Sequence, residues 1–149
     1  MIYDKEMFHY LLLHFPIALF IIGYFFDAIY IAINTFRISA YEDKSVLLYT
    51  FSYWNISLAI LFSLPTILSG FITDWSLYGH MESPLPVWTT HGTHMILSIF
   101  IFIIILFLKY KKDIIDAYLS ENTIFMMHTL AIMFFIHGTH IGAKLADRL

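Results

Sequence analysis

The segment SPLPVWTTHGTHMILSIFIFIIILFL, at Ser83–Leu108, contains no charged residue and is long enough to cross a lipid bilayer as a helix. Three further uncharged runs of comparable length lie on either side of it. They are Met7–Phe26 (extending towards Asn34), Ser45–Thr73 and Asn122–Ala143. Backbone amides in hydrocarbon must be hydrogen-bonded within their own segment, so we expect each run to form a helix.

The predicted fold class is all-α, an integral-membrane four-helix bundle with up-down-up-down topology. We place the four spans at about residues 7–34, 45–75, 86–108 and 122–146 of a single transmembrane domain, residues 1–149. The segments between the spans are short and rich in charge, proline or glycine, as loops are. Short loops make each helix antiparallel to the next one.

The composition agrees with a membrane protein, because 60% of the residues are hydrophobic and only 13% are charged. Soluble domains have about 25% charged residues. The chain has no cysteine, which excludes disulfides, thiolate metal sites, iron–sulfur clusters and covalently attached c-type haem. A net charge of −3 gives no indication of nucleic acid as a partner, whereas membrane lipid is an expected one.

Basic residues predict the orientation, because they concentrate in cytoplasmic loops. The loops after the first and third spans contain five of them, Arg37, Lys44, Lys109, Lys111 and Lys112. The opposite side contains three, Lys5, Lys144 and Arg148. We therefore expect a multi-pass protein of the cytoplasmic membrane with both termini outside the cytoplasm.

Seven of the eight histidines fall on the predicted outer side of the bundle. They are His9, His14, His80, His91, His94, His137 and His140. The sequence HGTH occurs twice, at His91–His94 and His137–His140, and the two histidines of each copy share one helix face. Counting 1.5 Å per residue from the span ends places His14, His94 and His140 at one depth.

Small residues accompany these histidines. The glycine and threonine within each HGTH allow another group to approach the helix backbone closely. Gly138 and Gly142 also form a Gly-x-x-x-Gly pattern, which is a close-approach surface in membrane helices.

A cluster of imidazoles with few nearby acids is costly to bury in a membrane unless a ligand binds it. Imidazole ligates Zn, Cu, Ni and iron, including haem iron. A di-iron site is disfavoured because every glutamate lies at or beyond a span end, and the zinc-protease motif His-Glu-x-x-His is absent. We therefore expect one or two molecules of haem b. The candidate cofactor-binding residues are His9, His14, His91, His94, His137, His140 and Asp74. The five candidate iron ligands among them are His14, His94, His140, His91 and His137.

The topology suggests how these ligands would pair. The first and third helices of such a bundle are diagonal and parallel. One predicted pair is therefore His14 with His94 or His91. A second haem would use His137 and His140, together with His9 or the unused histidine of the third span.

Three polar residues have other expected roles. Asp74 is a candidate acceptor for the Nδ1–H of a ligating histidine, or else an interfacial carboxylate. Asp27 and His128 both fall towards the predicted inner side and could pair there. We expect such a pair to be a static contact rather than a proton carrier.

These observations favour a small membrane cytochrome that passes electrons between quinol, or a partner subunit, and a periplasmic acceptor. Such a chain would be an electron-transfer subunit of a complex or homo-oligomer rather than a stand-alone enzyme. Two alternatives stay open: a Cu or Zn binding or transport protein that uses the same imidazoles, and a structural subunit with no cofactor.

The segment HYLLLHFPIALFIIGYFFDAIY, at His9–Tyr30, resembles the opening of the family catalogued as domain of unknown function 2231, whose members are small bacterial four-helix membrane proteins. The similarity continues with SGFITDW at Ser69–Trp75, which contains Gly70 and Asp74 in a Gly-x-x-x-Asp pattern, and with HIGAKLADRL at the end. The resemblance implies a redox-associated protein of the bacterial inner membrane, in a family sometimes joined to cytochrome c or Rieske-type domains. The doubled HGTH departs from the family pattern.

Overall fold

The computed structural model describes residues 5–79, 90–112 and 118–146, which form four long helices. They are α1 (Lys5–Phe36), α2 (Glu42–Tyr78), α3 (His91–Tyr110) and α4 (Glu121–Ala146), with a 3₁₀ turn at Ser39–Tyr41 before α2. All four are long and apolar enough to cross a membrane. The prediction of an all-helical four-span bundle is confirmed.

The ends of α1, α2 and α4 lie within three residues of the ends placed for the spans 7–34, 45–75 and 122–146, and α3 differs most. This helix begins at His91 rather than near residue 86, so that the first HGTH forms its first turn. At its other end α3 continues through Lys109, which the sequence analysis assigned to a loop. That assignment was wrong. The ammonium group has a buried carboxylate partner, Asp27, and can therefore lie inside the bundle.

Contacts along α1 give the direction of α2 relative to it. Each helix packs against its neighbours in the chain, and α4 closes the ring by packing against α1. His9, near the start of α1, lies against Gly70 near the end of α2. Tyr30, near the end of α1, contacts the ring of Tyr49 near the start of α2. The two helices are therefore antiparallel.

Three phenylalanines fill the centre of the bundle. The rings of Phe20 and Phe102 are stacked with centroids 3.8 Å apart, and Phe135 packs edge-on against Phe20 at 5.0 Å. Further along the same two helices, Asp27 of α1 meets Lys109 of α3. α1 and α3 are therefore parallel to each other and meet across the bundle, as expected for up-down-up-down topology.

Large apolar side chains cover the outside of the helices. Leu130 is 65% exposed, and Phe25, Leu61 and Phe100 are exposed to a similar extent. A surface of this kind is unfavourable in water but matches lipid hydrocarbon. Together with the four spans, it identifies an integral, multi-pass membrane protein in contact with lipid.

Candidate functional site

The bundle contains two groups of polar side chains at different depths. The first, the histidine end, comprises six histidines near the start of α1, the start of α3 and the end of α4: His9, His14, His91, His94, His137 and His140. The second, the ion-pair cluster, consists of Asp27, Lys109 and His128 and lies towards the opposite end. The aromatic core around Phe20 separates the two groups.

His9 of α1 is held in one tautomer by α2. Its Nδ1 lies 2.9 Å from the hydroxyl oxygen of Ser69, and that hydroxyl donates its own hydrogen to the carbonyl of Thr66 at 2.8 Å. Ser69 can therefore only accept from the ring, so Nδ1 carries the hydrogen and Nε2 has a free lone pair. Gly70 makes room for the ring, since a Cβ there would lie 3.2 Å from its Cε1.

His91 of α3 is held in the same tautomer by α4. Its Nδ1–H donates to the carbonyl oxygen of Gly138 at 2.9 Å. The ring lies against Gly142, where an added Cβ would be 2.6 Å from Cε1. The predicted close-approach surface on α4, Gly138 and Gly142, therefore contacts the imidazole of His91. Nε2 is the nitrogen of this ring that has the lone pair.

His9 and His91 come from diagonal helices and lie close enough to interact electrostatically. Asp74, which is half-buried, also interacts with His9 at this range. Asp74 was expected to accept an Nδ1–H from a histidine. For His9 that acceptor is the hydroxyl of Ser69, and for His91 it is the carbonyl of Gly138. The result is a pair of oriented imidazoles with both Nε2 atoms in the lone-pair form.

His94 is the most buried histidine of the histidine end. It is 1% exposed, and neither ring nitrogen has a hydrogen-bond partner. The ring stacks on Phe134 at 4.3 Å and contacts the ring of His137 at 5.2 Å, while its Cβ lies against Gly138. An unsatisfied buried polar group costs about 1–3 kcal/mol, so a ligand at this ring would remove a real penalty.

Three of the predicted ligands are exposed: His14, His137 and His140. The Nδ1–H of His14 donates to the carbonyl of Tyr10 one turn earlier in α1, at 2.6 Å. The ring of His137 still contacts that of His94. The second histidines of the two HGTH copies are therefore not equivalent, because His94 is buried and His140 is not. His80 lies outside the described residues.

The described segments contain no group of three or more histidine, aspartate or glutamate side chains that could hold a metal ion. A protein-bound zinc ion takes three or four such ligands. Haem iron takes four nitrogens from the porphyrin and needs only one or two side chains.

The ion-pair cluster joins three helices through one carboxylate. Asp27 is 2% exposed, and its Oδ1 lies 2.5 Å from the ammonium nitrogen of Lys109, which is 4% exposed. Its Oδ2 accepts the Nδ1–H of His128, which is fully buried, at 2.7 Å. The pairing of Asp27 with His128 is confirmed.

Lys109 is a functional candidate that could not be recognised from its position after an apolar span. A lysine directly after an apolar span usually marks a loop. A signal was nevertheless present, because Phe102, Ile105 and Lys109 share one helix face at spacings of three and four residues. Phe102 and Ile105 both belong to the core, which places the lysine on the inward face.

A second layer of polar groups connects the cluster to the end of the bundle. Tyr30 donates to Glu121 and accepts from Lys112 at 2.8 Å, while Lys112 also pairs with Glu121. Partial burial opposes the charge on Lys112, but its hydrogen bonds to Glu121 and Tyr30 outweigh this effect and raise its pKa above the ordinary value. Lys112, two residues beyond the end of α3, therefore stays charged and links this end of α3 to α1 and α4.

Comparison with known proteins gives one family. The family model described as "Predicted membrane protein (DUF2231)" matches residues 6–149. Comparisons with curated proteins and with solved structures gave no match.

Proposed function

Since the chain belongs to the DUF2231 family of predicted membrane proteins, we propose a specific role for its histidine end: it binds haem b and makes the chain an electron-transfer subunit. The observation that carries the proposal is the pair His9 and His91. Both rings donate through Nδ1 to a fixed acceptor, which leaves Nε2 as the nitrogen available to iron. Ligating histidines are oriented in this way in metal sites generally.

The proposed axial ligands of one haem are His9 of α1 and His91 of α3. They come from the diagonal helix pair that the topology favours. His9, rather than His14, is therefore the proposed ligand from α1. His94 is the proposed ligand of a second haem, because neither of its buried ring nitrogens has a hydrogen-bond partner. His137 is exposed and its ring already contacts that of His94, so it is not the opposite axial ligand. These ligands correspond to at most two haems.

Iron with two histidine ligands transfers single electrons and has no open position for a substrate. The chain is therefore proposed to pass electrons between quinol, or a partner subunit, and an acceptor such as a cytochrome c. Without Lys109, which lies inside the bundle, four basic residues remain towards the opposite end, Arg37, Lys44, Lys111 and Lys112, against three at the histidine end. This smaller excess supports a histidine end that faces outside the cytoplasm of a bacterial cell. The Cu or Zn alternative lacks a three-ligand group among the described residues.

We expect His9→Ala and His91→Ala each to lose most of the haem of the first pair, because one axial imidazole cannot hold iron in the six-coordinate state. His140→Ala is the matched control, since it removes an exposed histidine from the same end. The measurement is the haem-to-protein ratio from a pyridine haemochrome assay on monodisperse protein. Haem content as high in His91→Ala as in His140→Ala would contradict the ligand assignment.

The ligand role of His94 has its own test. If His94 holds a further haem, His94→Ala lowers the haem-to-protein ratio from two to one and leaves the first centre reducible. If the wild-type ratio is one and His94→Ala leaves it at one, His94 binds no haem.

A further inference from the structure

Pro16 interrupts the hydrogen bonding of α1 within the membrane. Proline has no N–H, so the carbonyl oxygen of Leu12, four residues earlier, lacks the partner that a helix normally supplies. Pro16 is fully buried, which places the interruption inside the bundle rather than towards lipid. A backbone carbonyl freed in this way costs free energy in a membrane, and a threonine of a neighbouring helix is one of the groups that can satisfy it.

Thr66 of α2 supplies the missing donor. Its hydroxyl oxygen lies 3.3 Å from the carbonyl oxygen of Leu12 and 2.9 Å from that of Phe62, so the two carbonyls share one hydrogen. The carbonyl of Phe62 already accepts the N–H of Thr66 within α2. The carbonyl of Leu12 is therefore the one that depends on this hydroxyl.

Thr66 is also linked to His9. The Nδ1–H of His9 donates to the hydroxyl of Ser69, and that hydroxyl donates to the carbonyl oxygen of Thr66 at 2.8 Å. Thr66 and Ser69 are both 6% exposed, so these bonds lie in the interior of the bundle. Thr66 is therefore connected to α1 twice, through its side chain to Leu12 and through its carbonyl and Ser69 to His9.

The two connections fix the register of α1 against α2. His9 and Leu12 are three residues apart on α1, and Ser69 and Thr66 are three apart on α2, in the opposite order because the helices are antiparallel. Residues at this spacing lie on one face of a helix. The bond at Leu12 therefore keeps His9 opposite Ser69, although Pro16 weakens the hydrogen bonding of α1 just beyond.

We propose that Thr66 is a positioning residue for His9. Its hydroxyl holds the turn of α1 that precedes Pro16, and the ring of His9 thereby keeps its bond to Ser69 and its single tautomer. The consequence for cofactor binding rests on the proposed function: with His9 as an axial ligand, Thr66 keeps Nε2 directed towards the iron without contacting the haem itself.

The bond between Thr66 and Leu12 is tested by a double-mutant cycle with Pro16→Ala. Alanine restores the N–H, which satisfies the carbonyl of Leu12 from within α1. We expect Thr66→Val to lower the midpoint of thermal unfolding by about 2–4 °C in the wild-type background and by much less in the Pro16→Ala background. Equal losses in the two backgrounds would show that the hydroxyl does not serve Leu12, and the proposal would be wrong.

The positioning role is tested by the rate at which haem passes to apomyoglobin. We expect release to be roughly fivefold faster in Thr66→Val than in the wild type, the factor that loss of one hydrogen bond produces in an equilibrium constant. Thr66→Ser, which keeps the hydroxyl, should match the wild type. Thr50→Val is the matched control, because its hydroxyl donates to Val46 in its own helix. A lowered unfolding midpoint with unchanged haem release would make Thr66 a purely structural residue and overturn the proposal.

A wild-type protein that binds no haem would contradict the proposed function, and the position of His9 is then measured directly. The measurement is ¹⁵N NMR of histidine-labelled full-length protein in lipid nanodiscs at pH about 8, where histidine is neutral. The His9 signals are assigned from their absence in His9→Gln. We expect one tautomer, with the hydrogen on Nδ1, in the wild type and in Thr50→Val, and a mixture of both tautomers in Thr66→Val. The same single tautomer in all three proteins would show that Thr66 does not position His9.

Discussion

Asp27→Ala should destabilise the protein more than any other single substitution considered for this chain. Removal of this carboxylate leaves Lys109 with an uncompensated buried charge and His128 without an acceptor for its Nδ1–H. Breaking a buried ion pair from one side costs about 3–5 kcal/mol. For a chain of this size we expect a midpoint of thermal unfolding lower by about 10 °C, measured by circular dichroism in detergent.

Two variants make this result specific to the ion pair. Asp43→Ala removes an exposed acid and should change the unfolding midpoint by little. The double variant Asp27→Leu with Lys109→Met should recover much of the loss, because both charges are replaced by apolar groups together. An Asp27→Ala protein as stable as Asp43→Ala would show that the cluster contributes nothing to stability.

Gly142→Leu should have the second largest effect, through the packing of α3 on α4. Even the Cβ of the new side chain would lie 2.6 Å from Cε1 and 2.7 Å from Nδ1 of His91, so the ring has to leave its place. We expect overpacking to lower the free energy of unfolding by about 1–3 kcal/mol. The hydrogen bond from His91 to the carbonyl of Gly138 should be lost as well. Unfolding by heat and the haem-to-protein ratio measure the two consequences.

The neighbouring Ala143 provides a matched control, because it is exposed on the same turn of α4. Ala143→Leu adds a comparable side chain towards lipid and should leave both stability and haem content near the wild-type values. If Gly142→Leu is indistinguishable from Ala143→Leu in both measurements, the contact of His91 with Gly142 is needed neither for stability nor for haem binding.

The fold was predictable from the sequence because lipid imposes a simple rule on it. Long uncharged runs must be helices in a membrane, and short loops make them antiparallel. The ends of these runs were less certain, since a terminal residue can belong to either helix or loop. Lys109 shows why: its place inside the bundle depends on Asp27, a residue 82 positions away in the chain.

The histidine end was predictable as a region but not ring by ring. The sequence places its histidines on one side of the membrane, and the structure keeps His9, His91 and His94 together at that end. Which rings turn inward depends on the rotation of each helix about its axis. A rotation set by whole-helix packing buries His94 and exposes His140, although the two occupy the same position in identical HGTH motifs.

The absorption spectrum of the purified wild-type protein tests haem binding at the histidine end without any substitution. A haem-binding protein should show a Soret band, sharp α and β bands of low-spin haem after reduction with dithionite, and one or two haems per chain. A folded, monodisperse protein that is colourless when purified from cells supplied with haem, and that takes up no haem when it is added, would contradict haem binding at this end.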